Sequence, residues 1–203
     1  MKFNVNCLDD FFSVNNIVVT EGNCNNLQKQ YDELINICKT INPKFIMEIG
    51  FNGGHSAELF LENSNAYLYS FDIGNHFHSY LKFGKMYINN KFPDRHTLVI
   101  GDSTERVPIF SSNHPEIKFD IIFIDGGHEY KTAISDLINC KKMAHDNTIV
   151  IMDDIIKDSQ FSANHTIGPT KAWNQCINNK IVKETSYFLF EKGRGMCVGK
   201  YLF

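Results

Sequence analysis

Short β-rich runs alternating with longer amphipathic segments predict a doubly wound α/β fold, with a mainly parallel sheet of seven strands and a C-terminal antiparallel hairpin. Three observations carry this expectation. Five apolar runs are each followed by a glycine or an aspartate. The segments between them space their apolar residues at helical period. The chain then departs from the alternation, closing on two strand-like runs separated only by Glu191-Lys192-Gly193-Arg194-Gly195.

Leu27 to Thr40 places Leu27, Tyr31, Leu34, Ile35 and Cys38 on one helical stripe, which Pro43 closes. Lys44 to Ile49 is the first strand, and a helix resumes over His55 to Glu62. Ala66 to Phe71 is the second strand, followed by a helix near His78 to Asn89. Thr97 to Ile100 is the third strand and Thr104 to Phe110 a short helix. Phe119 to Ile124 is nearly continuous in apolar residues, as a strand covered on both faces should be. Glu129 to Met143 is helical through Ala133, Leu137 and Cys140, and Thr148 to Met152 is the fifth strand. A helix over Pro169 to Asn178 precedes the closing strands, Glu184 to Phe190 and Met196 to Phe203. Residues 1–24 fall outside the pattern and are expected to form an arm or lid on a single domain spanning 25–203.

A net charge of -3 offers no basic footprint for nucleic acid. No apolar stretch approaches the roughly 20 residues that span a bilayer, and the N-terminus lacks a signal-peptide core. Cys7, Cys24, Cys38, Cys140, Cys176 and Cys197 form no Cys-x-x-Cys pair and read as reduced thiols in a cytoplasmic setting, mostly small core fillers. The expected partner is a small-molecule or sugar acceptor, with no nucleic acid or membrane, and the chain is compatible with a homodimer.

In a doubly wound sheet, ligands bind beyond the carboxyl ends of the strands. After the first strand comes Glu48-Ile49-Gly50-Phe51-Asn52-Gly53-Gly54-His55-Ser56, which is either a plain strand-to-helix turn or a ligand loop. It lacks the second glycine of the dinucleotide fingerprint. Asp72 follows the second strand, where a carboxylate can accept both hydroxyl protons of a ribose or cap a helix. Asp102 and Ser103 follow the third, placed to cap a helix and to touch an adenine ring. Asp125 follows the fourth and Asp153-Asp154 the fifth. Three carboxylates at adjacent strand ends favour a hard divalent cation such as Mg2+ over mere capping. His128, beside Asp125, can titrate near neutrality. Trp173 is expected to pack its helix on the sheet, and Tyr130 and His165 can shape an acceptor pocket, with His76 and His78 at its edge or simply on the surface.

In this order and spacing, these residues resemble class I S-adenosylmethionine-dependent methyltransferases, within them the metal-dependent small-molecule O-methyltransferases, catechol-like or sugar- and macrolide-modifying. The resemblance runs from about Leu27 to Asp154, with a compatible hairpin to Phe203. It implies a Rossmann-like fold in which Glu48, Gly50, Phe51, Asn52, Gly54 and Ser56 hold the methionyl part of S-adenosylmethionine. Asp72 would bind the ribose, Asp102 and Ser103 the adenine, and Asp125, Asp153 and Asp154 a Mg2+ ion, with Asp125 also bordering the donor. Catechol-type relatives carry a lysine base three residues after the first metal aspartate, where this chain has His128, and an asparagine where Asp154 stands. The acidic pair is more like the sugar-modifying branch.

The implied reaction is O-methylation of one hydroxyl of a vicinal diol, sugar in preference to catechol, with His128 and Asp125 as the catalytic pair. Rival readings are a nicotinamide oxidoreductase, a metal-dependent enzyme of the cephalosporin-hydroxylase type, and a non-catalytic cofactor-binding module.

Overall fold

The structure, a computed structural model, describes residues 1–19, 27–74 and 78–203, with only the backbone of residues 78 and 79. Cys24, His76 and the side chain of His78 lie outside the described residues. The elements run α1 (Leu8–Val14), α2 (Gln28–Ile41), β1 (Phe45–Ile49), α3 (His55–Glu62), β2 (Tyr67–Asp72), α4 (His78–Lys91) and β3 (His96–Ile100). They continue through α5 (Ser103–Asn113), β4 (Phe119–Ile124), α6 (Tyr130–Lys141), β5 (Ala144–Met152), α7 (Asn164–Asn178), β6 (Val182–Glu191) and β7 (Arg194–Tyr201).

The seven strands lie in the order β3-β2-β1-β4-β5-β7-β6. β1 to β5 are mutually parallel, β7 runs antiparallel to β5, and β6 returns antiparallel to β7. This is the expected Rossmann-like architecture. Alternation along each strand sends side chains to opposite faces. Ile46, Ile121, Phe123 and Ile151 pack with α1 to α4 on one face. Met47, Ile122, Ile124 and Val150 pack with α5 to α7 on the other.

The register positions the site. Ile49 pairs with Phe71 and with Ile124, and Ile124 pairs with Met152. The carboxyl ends of β1, β2, β4 and β5 are therefore level, so Gly50, Asp72, Asp125 and Asp153 emerge together at one edge.

Two differences from expectation bear on the site. α7 begins at Asn164, ahead of Pro169, because the Thr166 hydroxyl caps the Ala163 N–H at 3.1 Å. Gly168 then brings the helix against the His128 carbonyl, where a Cβ would stand at 2.1 Å. The N-terminal segment also carries a helix the spacing did not reveal. Leu8, Phe11 and Phe12 of α1 are buried, and the Leu8 N–H donates to both oxygens of the buried Glu58 carboxylate at 3.1 Å. Tyr87 and Lys91 complete that carboxylate's shell at 2.8 and 2.9 Å. Trp173 is fully buried as expected, and its indole N–H donates to Glu184 at 2.8 Å. Among the described residues no helix is long and apolar enough to cross a membrane.

Candidate active site

A cavity of about 490 Å³ opens at the level strand ends, within the size range of small-ligand pockets. Of the sequence-predicted residues, Gly50, Phe51, Asn52, Ser56, Asp72, Asp102, Ser103, Asp125 and His128 line it. The loop after β1 forms one wall for a steric reason. Gly50 has φ +98°, and a Cβ there would stand 1.9 Å from the Asp125 carbonyl oxygen. Gly54, φ +94°, closes the turn with its N–H on the Phe51 carbonyl at 2.7 Å.

Asp72 holds this loop. Its Oδ2 accepts from the N–H groups of Phe51 and Asn52 at 3.0 and 2.8 Å, and its Oδ1 from Gly74 at 2.7 Å. A carboxylate offers about four acceptor positions, so the backbone leaves Asp72 about one for a ligand rather than the two a ribose diol would use.

Glu48 takes a different place from the one expected of a direct cofactor contact. It is fully buried behind the cavity, accepting from the hydroxyls of Ser56 and, at 2.6 Å, of Ser70. Burial pushes its carboxyl up to about 7, against those two hydroxyls. Glu48 thus acts on the cavity through Ser56. Ser70 also meets His96 at 3.1 Å, and Phe51 stacks on that imidazole at 5.2 Å. Asp102 caps α5, accepting from the Thr104 N–H and hydroxyl at 2.9 and 2.7 Å, while also bordering the cavity.

On the β4–β5 side the three predicted carboxylates come together electrostatically. Asp125 keeps partial exposure at the cavity wall, yet desolvation of its carboxyl, then the charges of Asp153, Asp154 and Glu48, drive its pKa well upward. Asp153 is raised to about 7 by burial and by Asp154, with Arg194 and Gln30 opposing the shift. Asp154 sits at φ +59°, a left-handed conformation that aspartate tolerates better than most residues. Its Oδ2 lies 3.0 Å from His128 Nε2 and its Oδ1 3.6 Å from His165 Nε2.

As placed, these groups do not form the metal cage expected from the sequence. Among the described residues no three His, Cys, Asp or Glu side chains stand at metal-ligand spacing. The reason is visible in their partners. Asp153 turns to the Gln30 amide at 2.6 Å and to the Asp154 N–H at 2.9 Å, and Asp154 turns to the imidazoles. The donor set itself suits a hard divalent cation, since the charges that raise Asp125 and Asp153 are relieved by positive charge among their oxygens.

Sequence reasoning missed three contributors. Gln30 shares the buried stripe of Leu34 and Cys38, and a polar residue on such a stripe was the available signal. Gly84 of α4 meets the ligand loop, where a Cβ would stand 2.0 Å from the Gly53 carbonyl oxygen. Arg194, at the start of β7, supplies the cation opposing the acidic charge; it lies in the hairpin, read only as a connection.

A family model described as a methyltransferase domain matches residues 47–155, more than half of the chain. The chain belongs to that methyltransferase family. The matched span contains each strand-end residue that lines the cavity, and the expectation of a class I methyltransferase is borne out. No curated protein matches the sequence. Among solved structures, an O-methyltransferase from Bacillus cereus in complex with SAH superposes with a TM-score of 0.75 at 17% identity, covering 96% of this chain and 90% of that one. A putative caffeoyl-CoA O-methyltransferase from Staphylococcus aureus gives 0.71 at 15%, with coverage of 96% and 90%. A TDP-rhamnose 3′-O-methyltransferase of calicheamicin biosynthesis gives 0.64 at 16%, with coverage of 82% and 76%. At these identities the likeness is one of fold.

Proposed function

We propose that this methyltransferase transfers the methyl group of S-adenosylmethionine to one hydroxyl of a vicinal diol, a sugar in preference to a catechol, with Mg2+ as the assisting ion. The observation that carries the reading is the juxtaposition of a nucleoside-sized cavity with a buried acidic cluster and a histidine at its rim. The Gly50 loop and Ser56 take the methionyl end, Asp72 one ribose hydroxyl, and Asp102 with Ser103 the adenine. Asp125, Asp153 and Asp154 would hold the cation, which when bound stabilises the developing alkoxide and fixes two neighbouring oxygens. The acceptor oxygen attacks the methyl carbon in line, the carbon–sulfur bond breaks, and S-adenosylhomocysteine leaves. His128, oriented by Asp154, takes the hydroxyl proton, a step worth on the order of 10²–10⁴ in rate. The acidic Asp154 and the activity of the rhamnose-modifying structural neighbour support the sugar class over the catechol class.

The test is a methyl-transfer screen over nucleotide sugars, simple vicinal diols and catechols, with and without Mg2+. A product heavier by one methylene, suppressed by chelator, supports the reading. A gain of oxygen points to the hydroxylase type instead, and chelator-insensitive methylation removes the metal from it.

A further inference from the structure

Asp136 has no role in the donor contacts described above, and its environment asks for one. It lies on α6 one turn beyond Thr132, which lines the cavity. The residue is 0% exposed, and neither carboxyl oxygen has a hydrogen-bond partner. Burying a carboxyl without partners is costly, so such a group calls for an explanation. Helix capping does not supply one, because Asp102 already caps α5.

Its neighbours show what it faces. The Ser103 hydroxyl approaches it, short of a formed hydrogen bond. A Cβ on Gly126 would stand 3.7 Å from Oδ2. Ser103, Gly126 and Thr132 are all cavity wall. The carboxyl therefore stands directly behind the wall, on the side where Asp102 and Ser103 are assigned to the base.

We infer that Asp136 is a positioning residue that sets which way the Ser103 hydroxyl points, and through it the preference of the cavity for adenine. A carboxylate behind Ser103 takes the hydroxyl hydrogen, which turns the oxygen lone pairs into the cavity as acceptors. An acceptor there matches the exocyclic amino group of adenine and repels a carbonyl in the same place. Burial and the charge of Asp102 push the Asp136 carboxyl up to about 7, with Ser103 opposing the shift, so the charged state this requires is within reach near neutral pH.

The inference rests on the S-adenosyl donor reading, and one experiment separates the two. The full chain is titrated calorimetrically with S-adenosylhomocysteine and with S-inosylhomocysteine, which carries a carbonyl in place of the amino group. The wild type should prefer the adenosyl ligand by roughly tenfold or more, as a site built to hydrogen-bond its ligand does. Asp136→Ala and Ser103→Ala should each bring the ratio below about threefold, and the double variant should lower it no further, because the two act as one unit. Asp136→Asn keeps the volume should the alanine variant not fold. It should lower the ratio too, since an amide can donate as well as accept. Both ligands meet the same folded population, so the ratio is insensitive to stability. An acid serving only the fold would show the opposite pattern, with a lower melting temperature and an unmoved ratio. That result in the Asp136 variants overturns this inference alone, whereas a wild type that binds neither ligand overturns the donor reading beneath it.

Discussion

Asp72→Ala separates a loop held by its carboxylate from one that merely lies beside it. The side chain accepts three backbone N–H bonds, from Phe51, Asn52 and Gly74. Hydrogen bonds to a charged group contribute roughly 1.5–3 kcal/mol each. Their simple sum overstates the loss, because Asp72 is only half-buried and water can reach the freed N–H groups. A net cost of about 3 kcal/mol is the working figure, which for a chain of this size lowers the melting temperature by about 6–12 °C. The loop should also lose its shape, since Asn52 is held at φ +48° and Gly50 at +98°. Affinity for S-adenosylhomocysteine should therefore fall by at least about tenfold, or about 1.4 kcal/mol. Thermal melts with and without S-adenosylhomocysteine, together with calorimetric titration, read both effects. Asp72→Asn should fall between wild type and alanine, because its amide nitrogen must face at least one N–H donor. A melting temperature within about 2 °C of wild type, with unchanged binding, would refute the claim that Asp72 organises the loop.

Gly84→Ala should disturb the same loop from the opposite side. Its Cβ would need the space 2.0 Å from the Gly53 carbonyl oxygen, so α4 must shift, at a cost of about 1–3 kcal/mol visible in a denaturant melt, and donor binding should weaken. Glu48→Gln tests the buried acid behind Ser56. The wild-type carboxyl is raised from 4.5 to about 7, so between those values the folded state keeps a proton the unfolded chain releases. Its stabilising contribution is present in full below about 4.5 and is lost as pH rises through about 7. Denaturant midpoints of Glu48→Gln should accordingly gain on wild type from pH 5 to 8, by up to about 3 kcal/mol; parallel profiles would contradict the buried-acid assignment. His128→Ala should reduce kcat by roughly 10²–10⁴ while leaving S-adenosylhomocysteine affinity within about twofold, and retained turnover would remove it as the base.

The strand ends were legible because burial on both faces leaves an uninterrupted apolar run, and β4 shows this best, from Phe119 to Ile124. β5 was read short for the converse reason. Its first residues include His145, Asp146 and Asn147, polar and largely solvent-facing. They stay in strand geometry because the Thr148 hydroxyl bridges the His145 N–H and the Phe119 carbonyl at 2.8 and 2.6 Å. The seven-residue helix α1 is too short to signal itself by propensity. It exists because Phe11 and Phe12 are buried against the α4 side of the core. The site divides the same way. Loop residues after strands carried their own signal, whereas Gln30, Gly84 and Asp136 sit inside helices, where periodicity registers only a position on a face.

That division bears on the proposed recognition of donor and acceptor. The cavity is lined by residues of the strand ends and of α3 and α6, all inside the span that matches the methyltransferase family. The groups surrounding the acidic cluster come largely from outside it. Gln30 arrives from α2, His165 from α7 and Arg194 from β7, each touching or facing Asp153, Asp154 or Asp125. The Gly193 carbonyl also holds His165 at 3.1 Å, which ties the hairpin to that same side. On the proposed reading, the family match covers the half of the site assigned to the methyl donor, while the half assigned to the acceptor draws on segments outside it. Substitutions at Gln30, His165 and Arg194 should then move acceptor KM and product identity while leaving donor affinity alone, the opposite of the pattern expected for Asp72 and Gly84.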